Sequence, residues 1–237
     1  MIALRFSSIC AAMAAVLWAS AASAQQDQAS SDDKLLFEKG GIAGLGLVAG
    51  AKLGGGFAQP FNQLGSSFVG ELEFGYNLPF LERSLGVFLS GQYNSPSTEK
   101  SGLVDEMGPK GASRVPAEYG YTLTQTQAVL TLGAIYRIPL KLPSIRPYVA
   151  LGGRYYMMRT EIDGSVTPSK GEALPFGTND ETGSTFGFYG ALGAEYYLGP
   201  GGILLEIQTG QASTDQFILR NTNVSTLNVA VGYRLFL

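Results

Sequence analysis

The stretch from Leu227 to Leu237 constrains this 237-residue chain more than any other. Leu227, Val229, Val231, Tyr233, Leu235 and Leu237 fall at every second position, with Asn228, Ala230, Gly232, Arg234 and Phe236 between them. A period of two belongs to a strand, whose successive side chains leave on opposite faces. One face is wholly apolar or aromatic, the other carries a charge, and Leu237 lies on the apolar face. A strand with one face in lipid and the other on a polar lumen has this pattern. The competing reading is an edge strand of a soluble sheet.

The same alternation recurs upstream. Strands are expected at about 41–56, 66–78, 85–94, 118–138, 146–162, 184–198 and 202–212, with the terminal stretch as the eighth. In the first, Ala43, Leu45, Leu47, Ala49, Ala51 and Leu53 share one face, opposite Gly44, Gly46, Val48, Gly50 and Lys52. Short turns at 79–84, 140–145 and 199–201 alternate with longer connections, chiefly 95–117, 163–183 and 213–222. Alternating short turns and long loops, with an even strand number, is how transmembrane barrels are built. After residue 24 no run approaches the roughly 20 apolar residues of a membrane helix. The 45% apolar content, with 12 Tyr and 13 Phe, is spread in alternation instead.

Two sets of residues follow from the strand faces. Tyr76, Tyr136, Tyr196 and Tyr233 lie near the ends of even-numbered strands on the apolar face, where they form an expected periplasmic aromatic girdle. Phe68, Tyr93, Tyr155 and Phe186 lie towards the other rim and form an outer girdle. Such girdles mark the two interfaces of a bilayer. The opposite face carries Lys52, Arg137, Arg154 and Arg234 with Glu71, Glu73, Glu195 and Glu206. Four charges of each sign cancel, and an eight-stranded barrel is only wide enough inside for side chains. The expectation is a lumenal ion-pair network that closes the barrel, because buried charges are tolerable only when paired. A gate formed by alternative pairings is the functional rival.

The N-terminus reads as a secretory signal over 1–24. Arg5 is its basic part, Ile9 to Leu17 its apolar run, and Ala22-Ser23-Ala24 its cleavage site. Residues 25–40 are expected to be a polar periplasmic lead, and 41–237 the barrel domain. Cys10, the sole cysteine, lies inside the signal, so the mature chain forms no disulfide. Without Arg5 the chain has 15 basic and 19 acidic residues and no basic cluster, which gives no sign of nucleic-acid binding.

The chain has no histidine. That removes the Ser-His and Cys-His pairs of nucleophilic catalysis and the commonest metal ligand. Ser97-Thr98-Glu99-Lys100 spells S-x-x-K, but without the accompanying motifs. Gly44-Leu45-Gly46 is followed by Gly50, one residue too late for a dinucleotide fingerprint. Asp163, Asp180 and Glu181 read as solvated loop acids. No catalytic residue, cofactor site or metal site is expected.

The last strand resembles the C-terminal assembly signal of bacterial outer-membrane proteins. Gly232, Leu235 and Leu237 match it; Ala230 is not polar, and Leu237 replaces the usual Phe. Signal, strands and girdles together resemble the small outer-membrane barrels: the OmpA transmembrane domain, OmpX, OmpW and the wider outer membrane protein β-barrel domain group. The resemblance implies an all-β, eight-stranded antiparallel up-and-down transmembrane barrel over 41–237, with no peptidoglycan-binding domain after it. Its implied partners are outer-membrane lipid, lipopolysaccharide and, through the last strand, the barrel-assembly machinery. It implies a non-enzymatic role in envelope structure or surface interaction through 95–117 and 163–183. The alternatives are a narrow pore or an OmpW-like path for small hydrophobic molecules, and a soluble lipocalin-like binder. The last needs apolar residues turned inward, whereas here the charges sit opposite the exposed aromatics.

Overall fold

Strand-forming alternation closes into a ring. The computed structural model describes residues 41–58, 64–106, 115–139, 144–167, 174–175, 179–214, 222–224 and 226–237. The signal over 1–24 and the lead over 25–40 lie outside them. The strands are β1 (Leu47–Ala58), β2 (Ser67–Asn77), β3 (Leu85–Asn94), β4 (Ser97–Glu106), β5 (Val115–Arg137), β6 (Ile145–Thr167), β7 (Leu174–Pro175), β8 (Asn179–Leu198), β9 (Gly201–Thr214), β10 (Thr222–Asn223) and β11 (Thr226–Phe236). Neighbours pair antiparallel in the order β1-β2-β3-β5-β6-β8-β9-β11, and β11 returns to β1 with Ala51 opposite Tyr233. Closure leaves no free edge through the ring, the condition for strands to cross a bilayer.

β3 and β4 form one stave of the barrel. Asn94 faces Gln127 and Ser97 faces Thr124, so the register on β5 runs on unchanged across the break. The ladder lapses at Pro96, which has no N–H to give, although its carbonyl still accepts from the Gln125 N–H at 2.9 Å. The ring therefore has eight staves.

The stagger follows from the register. Partners of Val48 traced around the ring are Gly75, Phe88, Gly133, Gly152, Tyr189, Gly210, Thr226 and finally Ala58. The circuit ends 10 residues up the starting strand (58 − 48). With about 3.3 Å per residue and about 4.8 Å between strands, that stagger over eight staves tilts the strands by about 40°, as closed barrels require.

The structure departs from the sequence expectation in two places. The first strand starts at Leu47, not at 41, because Gly44 and Gly46 have φ of 69° and 75°, outside any extended conformation. Gly44 is exposed, not lumenal. The described residues of 95–117 and 163–183 are largely strand: β4 pairs with β5 up to Glu106 opposite Val115, and β5 with β6 up to Glu118 opposite Thr167. Over 97–103 and 163–167 no apolar residue recurs at every second position, so the hydrophobic period that signals a strand stops there while backbone pairing continues. Threonine and tyrosine suit such solvated strands.

Burial is inverted relative to a soluble protein. Leu53, Leu72, Leu132, Leu151 and Phe188 are 60–80% exposed, while Lys52, Arg137, Arg154 and Arg234 are each 1% exposed. A water-soluble fold does not expose so continuous an apolar belt.

For the refolded protein in detergent micelles, cross-strand backbone NOEs should link 98–103 to 118–123. Their absence, with random-coil shifts over both spans, would contradict the extended β4–β5 ladder.

Candidate functional site

The inward positions of β1, β2, β5, β6, β8, β9 and β11 build one polar column. Period-two geometry puts Lys52, Glu71 and Glu73 on the same side of the wall, and the register sets Lys52 directly opposite Glu71. Lys52 Nζ donates to Glu71 Oε1 and Glu206 Oε1, both at 3.0 Å, and lies 2.7 Å from Glu73 Oε2. Arg234 holds Glu73 with two parallel bonds, Nε to Oε1 at 2.7 Å and Nη2 to Oε2 at 2.9 Å. This is the fork geometry that a guanidinium provides and an ammonium does not. Arg234 Nη1 also donates to Glu195, which accepts from Arg137 Nε at 2.8 Å. Arg137 Nη1 in turn reaches Asn77 Oδ1 at 2.8 Å.

Glu206 is the most shared group. Besides Lys52 and Arg234 it accepts from the Tyr148 hydroxyl (2.6 Å), the Tyr189 hydroxyl (3.1 Å) and Gln208 Nε2 (2.6 Å). Gly193 makes the first of these contacts possible: a Cβ there would overlap the Tyr148 ring. Glycine thus lets the ring lie flat against the wall and aim its hydroxyl at Glu206. The Arg234 guanidinium lies 4.7 Å from the Tyr148 ring centroid, an added cation–π contact.

Seven of the eight charges expected in the lumen join in this network. Arg154 does not. It is equally buried, but its bonds go to Thr131 Oγ1, Gln92 Oε1 and Gln208 Oε1, each at 3.1 Å, and it stacks 4.4 Å from the Tyr189 ring centroid. The reason is level: the strand tilt carries Arg154 above the carboxylates, into a layer of amides and hydroxyls. Gln208 links the layers by donating to Glu71 Oε2 at 2.7 Å. Asn77, Tyr148, Tyr189 and Gln208 are the members that charge alone does not reveal. Their parity with the charged residues on the same strands is the signal for them.

The outer face carries the aromatics. A level around the tilted barrel shifts by 10/8 of a residue per stave. Corrected for this, Tyr76, Tyr136, Tyr196 and Tyr233 lie within about three residue steps of one another, and Phe68, Tyr93, Tyr155 and Phe186 within about two. The two levels are about 20 Å apart along the axis on the same geometry. Phe68, Tyr93 and Phe186 are exposed, and Tyr155 packs on Phe186 with centroids 4.7 Å apart. The Tyr233 hydroxyl donates to the Leu198 carbonyl at 3.0 Å. Of the C-terminal residues, Gly232 lies against the Lys52 side chain, and the Leu237 N–H donates to the Leu47 carbonyl at 2.8 Å. Among the described residues no group of three or more His, Cys, Asp or Glu is arranged to hold a metal ion.

A closed eight-stave barrel, apolar outside and ion-paired inside, defines an integral outer-membrane barrel. The chain belongs to the outer membrane protein beta-barrel domain family, whose profile matches residues 11–234, and it is a bacterial outer-membrane protein. Solved structures similar to it include three small barrels. Neisserial surface protein A has 17% identity over 81% of this chain and 97% of its own, with a TM-score of 0.43. The N-terminal β-barrel domain of Pseudomonas aeruginosa OprF has 13% identity over 80% and 98%, with a TM-score of 0.38. Ail, the attachment invasion locus protein of Yersinia pestis, has 14% identity over 80% and 96%, with a TM-score of 0.36. No curated protein matches the chain.

Removing one partner of a buried pair leaves the other charge uncompensated, at about 3–5 kcal/mol. Glu73→Gln should therefore lower the unfolding free energy from urea titration in micelles by an amount in that range. Arg159→Ala breaks contacts to Glu161 (2.9 Å) and Asp180 (3.3 Å) whose side chains are about half exposed, and should change stability by about 1 kcal/mol or less. Equal effects of the two substitutions would contradict the network's buried, shared character.

Proposed function

We propose that this protein is a non-conducting, non-enzymatic outer-membrane barrel that acts at the cell surface through a protruding sheet. The observation that carries this is an asymmetry of stave length. β1, β2, β9 and β11 end near the level of Phe68 and Phe186. β4, β5 and β6 continue for about 30 Å beyond it, with β8 beside them for part of that length. Long paired strands at one end hold a rigid polar surface clear of the membrane.

In this reading the short connections, such as Gly199-Pro200 between β8 and β9, face the periplasm, and the protruding sheet faces outward. Tyr76, Tyr136, Tyr196 and Tyr233 rest at the inner interface, and Phe68, Tyr93, Tyr155 and Phe186 at the outer one, against lipid and lipopolysaccharide. Residues 1–24 direct export, 25–40 form a periplasmic lead, and the last strand, with Gly232, Leu235 and Leu237, is read by the assembly machinery. The ion network around Glu206 acts as a plug. The absence of histidine, and with it of the Ser-His and Cys-His pairs of nucleophilic catalysis, supports the non-enzymatic reading.

One observation favours a second reading, passage of a small hydrophobic molecule along the wall. An apolar hollow of about 410 Å³ lies on the outer face, with Leu53, Leu72, Tyr93 and Leu130 among the residues that line it, and Gly70 and Gly91 among them as well.

Two measurements separate these readings. Reconstituted in planar bilayers, the wild-type protein should give no single-channel steps; discrete steps would favour transport. The mature chain has no cysteine, so single cysteines can be labelled with an impermeant maleimide. Lys100→Cys, on β4, should label on intact cells, and Glu82→Cys, at the opposite end, only after permeabilisation. The reverse pattern would overturn the orientation and with it the surface role.

A further inference from the structure

The lipid-facing wall is not uniform. Gly70 of β2 and Gly91 of β3 take outward places that leucine or an aromatic takes elsewhere on the same strands. Glycine weakens a strand interior and marks a place where something approaches the backbone closely. Nothing in the barrel itself comes close here. A Cβ on Gly70 would meet only the Leu53 side chain, at 3.9 Å, and one on Gly91 only that of Leu130, also at 3.9 Å. On the lumenal Gly133 or Gly152 it would overlap neighbouring backbone. Packing within the barrel accounts for the lumenal pair and leaves Gly70 and Gly91 unexplained.

Both glycines border the outer-face hollow of about 410 Å³. In the register Gly91 faces Leu130 and Tyr93 faces Ala128. Small residues therefore lie on one diagonal, as a floor, and Tyr93 and Leu130 on the other, as walls. Ala128 is one stave on from Gly91 and two residues up. With strands tilted by about 40°, the sideways components of those two moves nearly cancel, and Ala128 stands about 8 Å directly above Gly91. The hollow is thus a trough along the membrane normal, the direction of an acyl chain. On the same geometry Gly91 lies about three residue steps below the outer girdle and about five above the inner one, and Met157, at the upper end, about two above the outer girdle. The trough occupies the outer half of the apolar belt and opens at its outer interface.

We propose that this trough is a fixed seat for one acyl chain of lipopolysaccharide. The inference rests on the outward orientation of the protruding sheet proposed above, which puts the lipopolysaccharide chains in that half of the belt. A seated chain gives Leu53, Leu72, Leu130 and Met157 the dispersion contacts that a gap denies them. It has no way inward. Leu53, Gly70, Tyr93, Ala128 and Met157 are successive partners across five staves, so the ladder behind the trough is complete. Lys52, Glu71 and Gln92, all buried, back it on the lumenal side. Arg159, two residues beyond Met157 on the same face, is already held by Glu161 at 2.9 Å and Asp180 at 3.3 Å. The seat therefore selects by chain and depth, not by charge.

The protein can be released into mild detergent from outer membranes of cells that make a short, rough lipopolysaccharide, and weighed by native mass spectrometry. The wild type should carry one lipopolysaccharide. Gly91→Leu and Gly70→Leu, each of which sends a side chain into the trough where nothing obstructs a Cβ, should lose that adduct. Gly153→Leu should keep it: Gly153 is also exposed, with nothing within 4 Å of a Cβ, but lies outside the trough. A wild-type protein without bound lipid, or lipid retained equally by Gly91→Leu, would overturn the seat and leave the orientation untouched. A phospholipid adduct in place of lipopolysaccharide, removed by Gly91→Leu, would overturn the occupant and with it the outward orientation, which the maleimide labelling reads independently.

Discussion

The contact set of Glu206 holds this molecule to one arrangement. A carboxylate removed from water must be neutralised and its lone pairs filled. Here Lys52, Arg234, Tyr148, Tyr189 and Gln208 do so from five different staves. Those staves are far apart in sequence: Lys52 and Glu206 are separated by 154 positions. The contacts can coexist only when the ring has closed with its ten-residue stagger. A slip of one residue on any strand that carries a lumenal charge would turn that charge into lipid and a leucine into the lumen. The polar column thus specifies register as well as filling space.

The outside is fixed by the complementary condition. Lipid satisfies no backbone group, so every strand must be paired on both sides through the apolar zone, and the ring meets that condition. Above the zone water satisfies an unpaired edge, and there the ring opens. Staves of unequal length follow, and with them the protruding sheet. The closed ring and the protrusion are two answers of the same backbone to two solvents.

Much of this was legible in the sequence where lipid had left its mark. Alternation in 66–78, 85–94 and 227–237 fixed which residues face inward, and the inward charges Lys52, Glu71, Glu73 and Arg234 fall where parity puts them. Two things were not legible. The strand character of 97–103 and 163–167 was hidden because both faces are at least partly open to water, so no apolar period records it. Which lumenal charges meet was hidden because parity gives the face of a residue and not its height. Arg154 has the same parity as Tyr148, yet the tilt lifts it out of the carboxylate layer. Gly44 and Gly46 mimicked a strand by spacing alone, while their positive φ ends the strand at Leu47.

The most direct test of a lipid-embedded, closed barrel with a paired polar interior is electrophoretic mobility of the protein from purified outer membranes, with and without boiling in SDS. A barrel locked by buried ion pairs and a closed hydrogen-bond ring should resist SDS until heated, so the unboiled and boiled forms should migrate at different positions. Recovery in the soluble periplasmic fraction, with one mobility in both lanes, would contradict the account.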